Sequence, residues 1–296
     1  MKNRIKQFYE KKYKLLLIIP FAILLLALVQ IGVQYQQTGD FVNKGVTLKG
    51  GSTFTLTDGS VISVSELSGF LATAFPNEEM SVRTLGSAGS SISLAIDSSF
   101  SEKVDITKLE RLLVKKLDLQ KNDYTIEVMG SSLGDRFFTQ TLTALLIAFV
   151  LMGIVVFFYF KSPAPSFAVI LAAFSDIIVT VSIFNLTGIP LSTAGIAAFL
   201  MLIGYSVDTD ILLSTRVLKR KEGSVMDRVY GAMKTGLTMS ATTLTAVIVA
   251  LIFVKSDVVK QIMIILLIGL LVDLLMTWIQ NVGILRLYLA RKNGKN

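Results

Sequence analysis

Ile196-Ala-Ala-Phe-Leu-Met-Leu-Ile-Gly-Tyr-Ser-Val-Asp208-Thr-Asp210-Ile-Leu-Leu-Ser-Thr-Arg216 is apolar over a length that crosses a bilayer, yet it carries two aspartates two residues apart. A hydrocarbon core about 30 Å thick demands about 20 such residues of helix. A carboxylate at the centre of that helix costs about 2.5–3.5 kcal/mol on translocon scales, so it persists only with a partner or a task. The stretch therefore sets the fold class, an α-helical polytopic membrane protein, and marks where function is to be sought.

Similar apolar runs lie at 15–33, 137–160, 166–186, 235–254 and 260–287, with the quoted run inside 190–213, giving six expected transmembrane helices. The composition agrees, with 52% hydrophobic and 17% charged residues among 296. Cysteine and histidine are absent, which excludes disulfides, thiol nucleophiles, zinc fingers and imidazole catalysis. No metal site and no cofactor are expected. The net charge of +8 reflects clusters beside the spans: residues 1–14 and 216–234 hold six Lys/Arg each, 286–296 hold four, and Lys161 adds one. This is the positive-inside pattern and not a nucleic-acid patch, and it places both termini in the cytoplasm of a multi-pass cell-membrane protein. The first run is about twice a signal core and lacks a good cleavage site, so it reads as an uncleaved anchor. The expected division is 1–36 (N-terminus and first helix), 37–136 (extracytoplasmic domain), 137–290 (five-helix bundle) and 291–296 (tail).

Residues 37–136 read as α+β. Thr53-Phe-Thr-Leu-Thr alternates like a strand, and Ser63-x-x-Glu66 is a capping box before Leu67, Phe70, Leu71, Ala74 and Phe75 at helical spacing. Residues 80–85 and 91–96 form an expected hairpin around Gly86-Ser-Ala-Gly89, with Ile92, Leu94 and Ile96 inward. Asp105 is expected to cap a helix with Ile106, Leu109, Leu112, Leu113 and Leu117 on one face, and 124–128 alternates again. The order β-α-β-β-α-β is ferredoxin-like and implies no chemistry by itself.

Asp176, Asp208, Asp210 and Asp273 are the carboxylates at membrane depth. In the fifth span Thr238, Thr242 and Thr245 share a face, and in the sixth Gly269, Asp273, Thr277, Gln280 and Asn281 form one stripe. These stripes are expected to converge inside the bundle, because lipid leaves polar groups unsatisfied. At 100° per residue, Asp208 and Asp210 point about 200° apart and cannot share a pocket on a regular helix. Asp208, above Gly204, is read as the buried, function-bearing group; Asp210, on a face with Ser206 and Ser214 and closer to the headgroups, is read as a partner for a basic residue such as Lys234 or Arg216.

The constellation resembles the SecF family of protein-export membrane proteins, in its archaeal branch, within the resistance-nodulation-division superfamily. Leu48-Lys-Gly-Gly51-Ser-Thr is similar to the Gly-Gly motif that opens the family's outer domain, and Phe174-Ser-Asp176 to the His-Asp pair of its third span, with Ser in the His position. Ile203-Gly-Tyr-Ser-Val-Asp208-Thr-Asp210 resembles its fourth-span motif, and Ser240-Ala-Thr-Thr243 its Thr-rich fifth span. The resemblance implies a non-enzymatic subunit paired with a SecD-like chain, the Sec channel and translocating polypeptides. It implies coupling to the proton gradient through Asp208, with Lys234 near the family's fifth-span basic residue. A hinge beside Gly50 and Gly51, or beside Gly130, is expected to pass the motion to the outer domain. Two other readings stay open: a half-transporter for lipid or a small molecule, and an aspartyl protease with an Asp176/Asp208 dyad. The protease reading lacks its Gly-x-Gly-Asp turn, since the chain has Gly204-Tyr-Ser-Val-Asp208.

Overall fold

The computed structural model describes residues 2–56, 63–76, 78, 80–85, 93–219, 223–254 and 256–293. It opens with a short helix α1 (Lys2–Lys11), one turn α2 (Tyr13–Leu16) and the long α3 (Ile18–Thr38), which Gly39 ends in the left-handed conformation. There follow α4 (Val46–Lys49), β1 (Gly51–Leu56), α5 (Val64–Ala74), β2 (Met80–Leu85), β3 (Ser93–Ser98), α6 (Lys103–Leu117) and β4 (Tyr124–Met129). The remainder is helical: α7 (Ser131–Phe160), α8 (Pro163–Leu186), α9 (Thr193–Lys219), α10 (Val225–Phe253), α11 (Asp257–Leu275), a π turn (Met276–Asn281) and α12 (Val282–Asn293). Among the described residues, six helical stretches are long and apolar enough to span a bilayer: Tyr13–Thr38, Arg136–Phe160, Pro163–Leu186, Thr193–Lys219, Val225–Phe253 and Val258–Lys292. The protein is mostly helical, with one small sheet.

The four strands lie in the order β2-β3-β1-β4, every neighbouring pair antiparallel. Period-2 alternation sends Phe54, Leu56, Leu94 and Ile96 to one face, where Leu67 and Leu71 of α5 and Leu109 and Leu113 of α6 close over them. The other face is polar: Thr53 donates to Asp97 Oδ1 at 2.7 Å and Arg83 Nε to Asp97 Oδ2 at 2.7 Å. Ser63 caps α5 by accepting from the Glu66 amide at 3.2 Å. Asp105 does not cap α6: Glu102 is the N-cap residue, and Asp105 lies in the first turn, paired with Lys108 at 2.9 Å. An acid there still meets the positive end of the helix dipole. The expected tip Gly86-Ser-Ala-Gly89 and Ile92 lie outside the described residues.

In the bundle, α9 packs against α8, α10 and α11, while α7 leaves most of its apolar surface outward. Close approach is made by missing side chains. A Cβ on Gly269 would lie 2.5 Å from Leu202 Cδ1, and one on Gly236 would enter the Trp278 indole. The chain entering the sheet unit is clasped to the joint between α8 and α9. Leu191 N–H donates to the Asn43 carbonyl at 2.7 Å and Gly45 N–H to the Leu191 carbonyl at 2.8 Å. Gln261 Nε2 holds the Pro190 carbonyl at 2.6 Å.

Candidate functional site

α9 turns a face made of Ile203, Ser206, Val207, Asp210, Ser214 and Val217 into the bundle. Spacings of three and four residues put these on one side of a helix. Opposite it, α8 presents Ser175 and Asp176, and the sixth span presents Asp273, Thr277, Gln280 and Asn281, all buried. Asp176, Asp210 and Asp273 therefore meet in one acidic core.

Two hydroxyls bond the three carboxyls. Ser206 donates to Asp176 Oδ2. The Thr277 hydroxyl lies 3.0 Å from Asp210 Oδ1 and 3.0 Å from Asp273 Oδ1. Asn281 Nδ2 donates to Asp210 Oδ1 at 2.7 Å and Gln280 Nε2 to Ser175 Oγ at 3.1 Å. A hydroxyl owns one proton, so Thr277 bonds both carboxyls only when one of them is itself a donor. The desolvation cost of these buried carboxyls is met, in the bonds named, by hydroxyl and amide donors. Thr277 gives Asp273 and Asp210 a shared hydroxyl between them.

The expected burial of the paired aspartates is inverted. Asp210 is fully buried, while Asp208 is exposed on the bundle surface. The 200° separation holds, but Gly204 does not mark a close approach: nothing lies within 4 Å of a Cβ placed there. Nor does Arg216 pair with Asp210; its Nη1 donates to the Gly231 carbonyl at 2.6 Å, and Lys234 is exposed. Thr238, Thr242 and Thr245 also face outward. Their hydroxyls bond the carbonyls of Lys234, Met239 and Ala241 at 2.7–2.8 Å on their own helix, so nothing drives them inward. The inner face of α10 is taken by Val229, Ala232, Gly236, Ser240 and Val247. The sixth-span stripe does point inward, as its spacing predicts. Gly50 and Gly51 sit where α4 meets β1, both with positive φ. An Asp176/Asp208 dyad is not formed. The shared face of Ser206, Asp210 and Ser214 is as their spacing predicts, whereas Ser175, which accepts from Gln280, was legible only as a small polar residue on an apolar helix.

Residues 109–291 match the family described as "Protein export membrane protein SecD/SecF, C-terminal". The chain belongs to this family. It is 38% identical over 295 residues to the protein-export membrane protein SecF of Pyrococcus furiosus, covering 100% of this chain and 97% of that one. It is 39% identical over 292 residues to SecF of Methanocaldococcus jannaschii, covering 96% and 99%. Among solved structures, SecDF from Thermus superposes with a TM-score of 0.76 at 22% identity, over 96% of this chain and 38% of that longer one. SecDF in a super-membrane-facing form gives 0.60 at 23% identity, over 94% and 38%. These structures bear on the fold. The family and the six apolar helices make the chain a multi-pass membrane component of protein export, of the SecF kind, and not an enzyme.

Proposed function

We propose that the chain works as one half of a SecD–SecF complex that helps polypeptides leave the Sec channel, with its acidic residues coupling that work to protons. The observation that carries the reading is Asp208, exposed within the fourth span beside Gly204, Met201 and Tyr205 on one stripe of α9. A carboxylate left against lipid is costly. A protein partner covering this stripe removes that cost, and the open space over Gly204 admits a helix. That the solved SecDF chains extend well beyond the part this chain matches supports a SecD-like partner. In this reading the termini are cytoplasmic, the sheet unit between the first two spans is an extracytoplasmic ferredoxin-like domain, and 137–290 is the five-helix bundle. The strand order and its antiparallel pairing support that domain assignment.

Asp208 then faces the partner while Asp210, Asp176 and Asp273 hold protons behind it, and Lys234 and the Thr238/Thr242/Thr245 stripe flank the interface. Proton movement changes the cost of exposing Asp208 between helices. A membrane potential contributes about 2.3 kcal/mol per charge per 100 mV, enough to shift a two-state packing severalfold. Gly50 and Gly51 form the hinge to the sheet unit.

The chain has no cysteine, which gives a direct test. Single Gly204→Cys and Phe158→Cys variants, co-expressed with the SecD-like subunit, are treated with a short bifunctional crosslinker. Crosslinking from 204 and not from 158 on α7 is expected. The reverse pattern overturns the interface, and normal export by Asp208→Asn in an intact complex overturns the coupling.

A further inference from the structure

The sixth span widens into a π turn at Met276–Asn281, at the place where Thr277, Gln280 and Asn281 reach Asp210 and Ser175. Such turns interrupt the ordinary helical ladder and are uncommon. Closing one back to α geometry removes a residue from the turn, which rotates everything beyond it by about 100°. That rotation carries Asn281 away from Asp210 while leaving Asp273 where it is. The donors of the acidic core thus depend on what keeps the turn wide.

An N-terminal helix touches it. Tyr9 Oη donates to the Trp278 carbonyl, inside the π turn, at 2.5 Å and across 269 positions of sequence. Burial pushes the Tyr9 phenol up from its usual range, so it keeps the proton it donates. α1 is itself clamped to α12: Arg286 Nη1 donates to the Tyr9 carbonyl at 3.2 Å and Nη2 to the Glu10 carbonyl at 2.6 Å. The guanidinium also lies 4.0 Å from the Tyr13 ring centre. On the other flank, Tyr230 of α10 donates to Glu10 Oε1 at 3.1 Å. The Trp278 side chain fills the space Gly236 leaves on α10, against Thr209, the residue before Asp210. Sequence alone gives α1 a topological role as a basic flank; the structure gives it a contact one turn from the acids.

We propose that Tyr9 is a positioning residue for the acidic core: held by Arg286, it fixes the π turn that presents Thr277 and Asn281 to Asp210. The proposal rests on the reading above only for its consequence in export, and its first readout is independent of that reading. The full chain in nanodiscs is compared as wild type, Tyr9→Phe and Tyr230→Phe by amide hydrogen exchange. Tyr9→Phe should speed exchange of the amides of residues 276–282 by about fivefold, the factor that one hydrogen bond of about 1 kcal/mol is worth. Other spans should not change. Tyr230→Phe, which spares the Trp278 carbonyl, should leave 276–282 at the wild-type rate. Should Tyr9→Phe fail to assemble, Arg286→Lys, which loses the fork on α1 but not the phenol, should show the same local pattern.

The second readout is export rate in a cycle with Thr277→Val. If Tyr9 acts through the core, the double variant exports no more slowly than the worse single variant. Losses that multiply, or exchange at 276–282 unchanged by Tyr9→Phe, overturn the proposal and leave Tyr9 as packing. Faster exchange with full export in both single variants instead rejects the working role of the core and upholds the positioning.

Discussion

Replacing Thr277 by valine keeps the shape of the side chain and deletes one hydroxyl between two buried carboxyls. That hydroxyl lies 3.0 Å from both Asp210 and Asp273. Hydrogen bonds to charged groups contribute about 1.5–3 kcal/mol, and those between helices in membranes average about 0.6 with a maximum near 1.7. The site is buried and both partners are acids, so a loss of about 1–3 kcal/mol is expected. Thr238→Val is the matched comparison. Its hydroxyl bonds only the Lys234 carbonyl, on its own exposed helix face, and that substitution should stay within about 0.5 kcal/mol. Equilibrium unfolding of the full chain in mixed micelles, titrated with a denaturing detergent, reads both. Equal effects of the two substitutions would falsify the division into an inner and an outer threonine set.

Gly236→Ala places a Cβ inside the Trp278 ring, and overpacking of about 1–3 kcal/mol should appear as a lower yield of folded chain on size-exclusion chromatography. Gly51→Ala combines φ of +119° with a Cβ driven onto the Ser98 carbonyl of β3; proteolysis should then cut the sheet unit faster than in wild type, and an unchanged digestion pattern refutes it. Ser224→Ala breaks the reciprocal cap with Asp227 at the start of α10 and should cost about 1 kcal/mol in the same detergent titration. Tyr124, which donates to Glu110 at 2.7 Å, has its phenol raised above the ordinary value, chiefly by that bond. The bond is present below the phenol's ordinary range and is lost as pH rises through the folded value. Glu110→Gln should therefore bring Tyr124 ionisation to lower pH in a spectrophotometric titration referenced to Tyr124→Phe.

The spans were legible because each needs only length and apolarity, and the strands because alternation of residues such as Phe54 and Leu56 fits a half-buried strand and little else. The sixth-span stripe was legible for the same reason, its polar groups recurring at helical spacing. The inversion of Asp208 and Asp210 was not. Periodicity separates two faces of a helix but does not say which one meets protein, and here glycine misled. Gly269 and Gly236 mark contacts, whereas Gly204 opens onto empty space. The outward threonines misled differently, since a hydroxyl bonded to its own helix tolerates either face. Nothing in Met276–Asn281 signals a widened turn, because that geometry arises from neighbours that include Tyr9, 269 positions from Trp278 in sequence.

The clasp at Leu191 makes the sheet unit a lever and not a tethered bead. Its backbone is gripped in both directions, by Asn43 and by Gly45, and Gln261 pins the adjoining proline. A pull on the sheet is therefore delivered into the short joint that ends α8 and begins α9, the helices that bring Asp176 and Asp210 together. The dipeptide Pro190-Leu191 is thus one place where the sheet unit meets the bundle, and the direct run of β4 into α7 is another.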